Sequence, residues 1–266
     1  MANKLIFLSH IHEEKALALL IQAALEDEFS GFVDVFVSSD GTSIPAGANF
    51  LKRIEDGLVA CNAAIFLISP ASVKRQWINF ELGAVWIRNS ISIRAGGVEI
   101  PALPMCHSGA TPAALPAPLN NLNAILGAQA SQLEFAFKSI QSVVGGGGRL
   151  KTDFDGLALA VAKFEREYTL GANIAVLIAL LKYDKADLLK HCKAAADRPT
   201  MNFSATLKSA SVEVLQKLEA NELNGVISVE IGNGGIHMGA EGTYNFSEVV
   251  VTMDPKLIVQ FGHLLK

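Results

Sequence analysis

At 266 residues with a formal net charge of −4, the chain is long enough for one large α/β domain or two unequal ones. Half of its residues are hydrophobic and 18% are charged, which supplies apolar surface for a packed core and excludes a disordered chain. The charge is spread along the sequence without a basic footprint, so nucleic acid is not an expected partner.

Neither a membrane span nor a secretory signal is expected. The longest strongly apolar stretch, Leu170 to Leu181, is broken by Gly171 and Asn173 and is far shorter than the ~20 residues a spanning helix requires. The run Leu5 to Leu8 is too brief for the apolar core of a signal, and a cytoplasmic location follows. Cys61, Cys106 and Cys192 lie far apart without a CxxC pair, which predicts buried thiols rather than a disulfide framework or a zinc site.

The first half alternates short β-rich apolar runs with helical patterns, as parallel strands joined by crossover helices do. Lys4 to Leu8 is a predicted strand. Glu13 to Phe29 is a helix with Leu17, Leu20, Ile21, Ala24 and Leu25 at helical spacing. Val33 to Val37 is a second strand. The turn-rich segment Ser38 to Gly47 then precedes a helix carrying Phe50, Leu51, Ile54 and Leu58. Ala63 to Ile68 is apolar throughout and reads as a central strand covered on both faces. A loop with Ser69, Pro70 and Ser72 leads to a helix over Gln76 to Arg88, and Val98 to Pro104 fits a fourth strand. Cys106 to Pro118 reads as loop, and Gln129 to Val143 as helix.

Gly145 to Gly148 lacks a following Lys-Ser or Lys-Thr at phosphate-loop spacing and reads as a flexible turn. A helix Asp153 to Tyr168 follows. Domain boundaries are expected at 1–144, with 145–169 as linker and connecting helix and 170–266 as a smaller α+β domain. In that domain helices are predicted at Asn173 to Tyr183, Ala186 to Ala195 and Val212 to Leu223, with a polar stretch before the third. Strands Gly225 to Ile231 and Ser247 to Met253 flank a glycine-rich tip, Gly232 to Gly242, before a last helix. This order resembles a winged helix. Its third helix carries Glu213, Glu219 and Glu222 against Lys217, so a sensor or oligomerisation module with a protein partner or activator is expected rather than a DNA reader.

Chemistry concentrates in three segments. These are Ile6-Phe7-Leu8-Ser9-His10, the loop from Asp40 through Ile44 to Gly47, and Ser69-Pro70-Ala71-Ser72 running into Trp77-Ile78-Asn79-Phe80-Glu81. Trp77 and Glu81 are four apart on a predicted helix, so both project from one face and can wall one pocket. His10 and His12 form a His-x-His pair without a third ligand, so no metal is expected. In Cys106-His107-Ser108 the neighbours cannot readily face each other as nucleophile and base, and the segment is taken as a loop bordering the pocket.

Together the three segments resemble the TIR (Toll/interleukin-1 receptor) domain family. Its signature is a strand ending in Ser-Tyr or Ser-His, a loop Asp-x-x-x-Ile-x-x-Gly, and a Ser-rich approach to Trp-x-x-x-Glu. The resemblance covers residues 1 to about 130. It implies a flavodoxin-like parallel sheet flanked by helices, with ligands at the carboxyl ends of the strands. It further implies a bacterial NAD+ glycohydrolase of the anti-phage defence type, which releases nicotinamide and leaves ADP-ribose or a cyclic isomer. NAD+ is then substrate, and no cofactor is needed. Glu81 would be the catalytic carboxylate. Ser9, His10, Ile11, Ser38, Asp40, Ile44, Gly47 and Trp77 would bind substrate, His10 standing where the family often has Tyr. The loop around Ile44 would pack against a neighbouring copy, so self-association is expected. Two other readings remain open: a non-catalytic TIR scaffold for signalling assembly, and an enzyme like the nucleoside deoxyribosyltransferases, in which a Glu attacks the sugar directly.

Overall fold

The structure, a computed structural model, describes residues 3–38, 50–239 and 242–265. The chain divides into two compact units, with the division between Arg166 and Glu167.

In the first unit, β1 (Lys4–Ser9), β2 (Val33–Val37), β3 (Ala63–Ile68), β4 (Ala102–Cys106) and β5 (Ile125–Leu126) form a parallel sheet in the order β2-β1-β3-β4-β5. This is the flavodoxin-like order, whose switch point lies between β1 and β3. The connecting helices are α1 (Lys15–Glu28), α2 (Phe50–Ala60), α3 (Gln76–Arg94) and α4 (Ala130–Val144), and α5 (Phe154–Leu181) begins in this unit.

Strand side chains alternate between the two faces of a sheet, and here each face has its own core. Ile6, Leu8, Ile65, Leu67 and Met105 pack with Leu17, Ile21 and Leu25 of α1, Leu133, Phe137 and Ile140 of α4, and Val161 of α5. Phe7, Ala64, Phe66 and Ile68 pack with Ile54 and Leu58 of α2 and Ile78, Leu82 and Val85 of α3. A fully buried Leu or Phe contributes about 1.5–3 kcal/mol, so these two layers set the register. The last residue of each strand then points to a defined side.

The second unit contains α6 (Lys185–Ala194), β6 (Met201–Lys208), α7 (Ser209–Ala220), β7 (Ile227–Gly239), β8 (Gly242–Met253) and α8 (Pro255–Gln260). Its sheet is antiparallel in the order β6-β8-β7, and Phe203, Val249, Val251 and Met253 meet Leu177, Leu215 and Ile258 in a separate core. Two features depart from expectation. The polar stretch before α7 contains strand β6. The glycine-rich tip is instead a paired ladder that continues to Gly239↔Gly242 after a register shift between Ile231 and Gly234.

The helix predicted at 153–168 and the one at 173–183 are one helix, α5. Gly171 does not break it, because the glycine serves packing: an added Cβ would come within 2.6 Å of Phe261 and 2.7 Å of Leu264. Further differences are that α3 runs six residues past Arg88, β4 starts at Ala102 rather than Val98, and the two-residue β5 was not foreseen. Among the described residues no helix is long and apolar enough to cross a membrane.

Candidate active site

Ser9 ends β1 on the side of Phe7, which is the α2–α3 face of the sheet. On α3 the buried positions are Ile78, Glu81, Leu82 and Val85, the stripe that an amphipathic helix gives to its core. Glu81 therefore stands where an apolar residue would be expected, and its side chain is fully buried. It meets two donors. The Ser9 hydroxyl donates to Oε2, and Trp77, one turn earlier, donates its indole N–H to Oε1 at 2.9 Å.

Burial pushes the Glu81 carboxyl up to about 7, against the pull of the hydrogen bonds from Ser9 and Trp77. The Trp77 ring is 41% exposed and stacks on Phe80 at 5.0 Å, so it reaches from the carboxylate towards solvent. A buried carboxylate that titrates near neutrality at the switch point of such a sheet is what a reaction generating positive charge can use.

The opposite face carries a second polar cluster that the sequence did not disclose. Ser69 follows β3 on the side of Leu67, and His107 follows β4 on the side of Met105, so both point towards α1 and α5. There they meet Glu14, at the start of α1. The Ser69 hydroxyl donates to Glu14 Oε1 at 2.6 Å, and His107 Nε2 lies 3.3 Å from the same oxygen. The Ile11 backbone N–H donates to Glu14 Oε2 at 3.2 Å. Ser72 donates to the Leu67 carbonyl at 3.1 Å and accepts from the Ser69 N–H at 2.7 Å. Glu14, Ser69, Ser72 and His107 are all buried, and together they tie the carboxyl ends of β1, β3 and β4. The visible clue was only an acidic residue shortly after β1 and a histidine at the end of β4.

The expected site residues thus separate. Ser9, Trp77 and Glu81 converge. Ile11 contributes its backbone to the other cluster. His10 is buried beside Ser9 in sequence, and its Nδ1–H donates to the Ile11 carbonyl at 2.6 Å. Ser38 is buried at the end of β2, with its N–H bonded to the Leu8 carbonyl at 2.9 Å. Asp40, Ile44 and Gly47 lie outside the described residues.

Cys106-His107-Ser108 is not simply a bordering loop: Cys106 is buried in β4, and His107 is a partner of Glu14 on the face away from Glu81. Burial pushes the Cys106 thiol up to about 11, which leaves it a poor nucleophile. Among the described residues no group of three or more His, Cys, Asp or Glu is disposed to hold a metal ion. A cavity of about 450 Å³ lined by Leu82, Trp86, Asn89, Ile100 and Phe135 is not lined by Glu81.

Comparison with known proteins bears on the same segment. No curated protein matches the chain. The family model described as TIR domain matches residues 6–126, which span β1 to β5 and include Ser9, Trp77 and Glu81. The chain carries a TIR domain over residues 6–126.

Proposed function

We propose that the TIR domain cleaves the bond between nicotinamide and ribose in NAD+, with Glu81 as the catalytic carboxylate. The observation that carries the reading is a fully buried carboxylate at the carboxyl edge of the sheet, held by Ser9 and Trp77 on a helical stripe otherwise filled by apolar side chains. Burying a charge is unfavourable unless it is partnered, and a carboxylate kept at a core position gives no packing advantage over leucine.

The chemistry follows from the substrate. The nicotinamide of NAD+ is a cationic leaving group. When its C1′–N bond breaks, the electron pair goes to the ring, which departs neutral, and the ribose becomes an oxocarbenium ion. An ionised Glu81 in a low-dielectric pocket stabilises that charge, as carboxylates do in glycoside hydrolysis. Water adding at C1′ and losing a proton gives ADP-ribose, whereas attack by the adenine ring or by a hydroxyl of the same molecule gives a cyclic isomer. Trp77, anchored to Glu81 and stacked on Phe80, supplies the apolar wall for the nicotinamide ribose.

Self-association belongs to the same reading. TIR domains commonly self-associate, and Phe80, Ile87 and Ile91 form an exposed apolar stripe on α3, opposite its buried face. Depletion of NAD+, or release of a cyclic product as a signal, suits a role in bacterial anti-phage immunity. A cytoplasmic site, where the substrate is abundant, suits the three buried free thiols.

The test is to incubate the purified full chain with NAD+ and identify products by mass spectrometry. Nicotinamide is expected with ADP-ribose or a cyclic isomer, and Glu81→Gln should reduce its release by more than about a hundredfold, or ~3 kcal/mol of transition-state stabilisation. Wild-type turnover in the folded variant would move the role elsewhere. No release by the wild-type chain at any concentration would favour a scaffold.

A further inference from the structure

The second unit contains a cavity of about 310 Å³ whose lining includes Lys182, Lys208, Ser211, His237, Tyr244 and Phe246, with no carboxylate among the described residues. Strand register builds it. Lys208 of β6 pairs with Phe246 of β8, Phe246 with Gly235 of β7, and Tyr244 with His237. By alternation these side chains stand on the face opposite Phe203, Val249 and Val251, which fill the core, so core packing does not account for the aromatic pair.

The glycines of β7 make the arrangement feasible, since a Cβ at Gly235 would lie 2.8 Å from the Phe246 ring. The rings of Tyr244 and His237 stack at 4.8 Å with an interplanar angle of 26°, and Lys208 Nζ sits 4.1 Å from the centre of the Tyr244 ring. Lys182 follows the last turn of α5 at a φ of 60°, a left-handed position where glycine is the usual residue. A lysine there retains a cation at some conformational expense.

We propose that this cavity binds a nucleoside monophosphate, with its base stacked on the His237 ring that Tyr244 backs from the other side and its phosphate between Lys182 and Lys208. Stacked aromatic rings select a flat π-system. Two ammonium groups select one compact anion. The Ser211 and Thr206 hydroxyls offer partners for the sugar. The volume lies at the low end for small-ligand sites and suits one nucleotide. A nucleic-acid strand is a poorer occupant, because Glu213 and Glu219 on α7, with Glu222 just after it, outnumber Lys217 and repel a polyanion.

Isothermal titration of the full chain with AMP, GMP and UMP tests this, with adenosine and inorganic phosphate titrated separately. At least one monophosphate should bind at sub-millimolar concentration, with adenosine and phosphate each at least about tenfold weaker. Lys208→Ala and Tyr244→Leu should each weaken binding about tenfold or more. Exposed Lys182→Ala gives the same result without burdening the fold. Three results would overturn the proposal: no binding of any monophosphate at millimolar concentration; binding unchanged by Lys182→Ala and Lys208→Ala; or tighter binding of a single-stranded oligonucleotide, with a salt dependence requiring more than two phosphates. The loss caused by substitutions at Lys182, Lys208 and Tyr244 is what assigns the binding to the second unit, and NAD+ cleavage unchanged in those variants keeps the two readings separate.

Discussion

Glu81 links stability to function through one proton. An ordinary side-chain carboxyl near 4.5 is pushed by burial to about 7 in the folded chain. The folded protein therefore holds this proton more tightly than the unfolded one. That contribution to stability is full below about pH 4.5 and is lost as pH rises through 7. The difference corresponds to roughly 3 kcal/mol. Glu81→Gln, which keeps the shape without the charge, should thus change stability little at pH 5 and raise it at pH 8 by up to about that amount. Denaturant titrations at both pH values check this, and an equal effect at the two would show that the carboxyl is not shifted. The reaction needs the ionised form. In the free enzyme kcat/KM should rise with pH and level off above about 7, and kcat should level off lower, because the bound nicotinamide cation favours the carboxylate.

At the scale of elements, two helical glycines show why sequence position alone does not give a role. Gly83 in α3 faces open space, whereas Gly171 in α5 is filled by Phe261 and Leu264. Gly83→Ala should stabilise by about 0.5–1 kcal/mol by removing backbone freedom from the unfolded chain. Gly171→Ala should destabilise the second unit by about 1–3 kcal/mol through overpacking. Denaturation midpoints of the two variants decide it, and the same sign for both would refute the packing argument. The legibility of the fold follows the same logic. The sequence bounds of Val33–Val37 and Ala63–Ile68 match the observed ones, because a valine-rich run broken only by Asp34 and a wholly apolar run, each between turn residues, leave little alternative. Strand β6 escaped because its outer face is Asn202, Ser204, Thr206 and Lys208, so it reads as polar coil until β8 pairs with it. In the site, Trp77 and Glu81 were legible from helical spacing. The Glu14, Ser69 and His107 cluster was not, since it joins residues far apart in sequence through strand order and the alternation of faces.

For the whole molecule, the question is whether the active unit is one chain. On α3, Ile78, Glu81, Leu82 and Val85 face inward, while Phe80, Ile87 and Ile91, at spacings of seven and four, share another face and are each more than half exposed. A contiguous apolar stripe facing water is unfavourable for a lone soluble unit and is relieved when a second copy covers it. The same helix carries Glu81 and Trp77, so packing on the outer face restrains the segment that holds the carboxylate. Specific activity should therefore rise faster than linearly with protein concentration and saturate when assembly is complete. Ile87→Asp should abolish both assembly and cleavage at concentrations where the wild type is active, because a charge placed in an apolar contact loses water without gaining a partner. Ile87 is exposed, and the Glu81 carboxylate is held by Ser9 and Trp77, so the variant should keep the fold and the near-neutral titration of Glu81. Sedimentation alongside the NAD+ assay separates the outcomes. A monomer with full, concentration-independent activity, unaffected by Ile87→Asp, would show that one chain suffices.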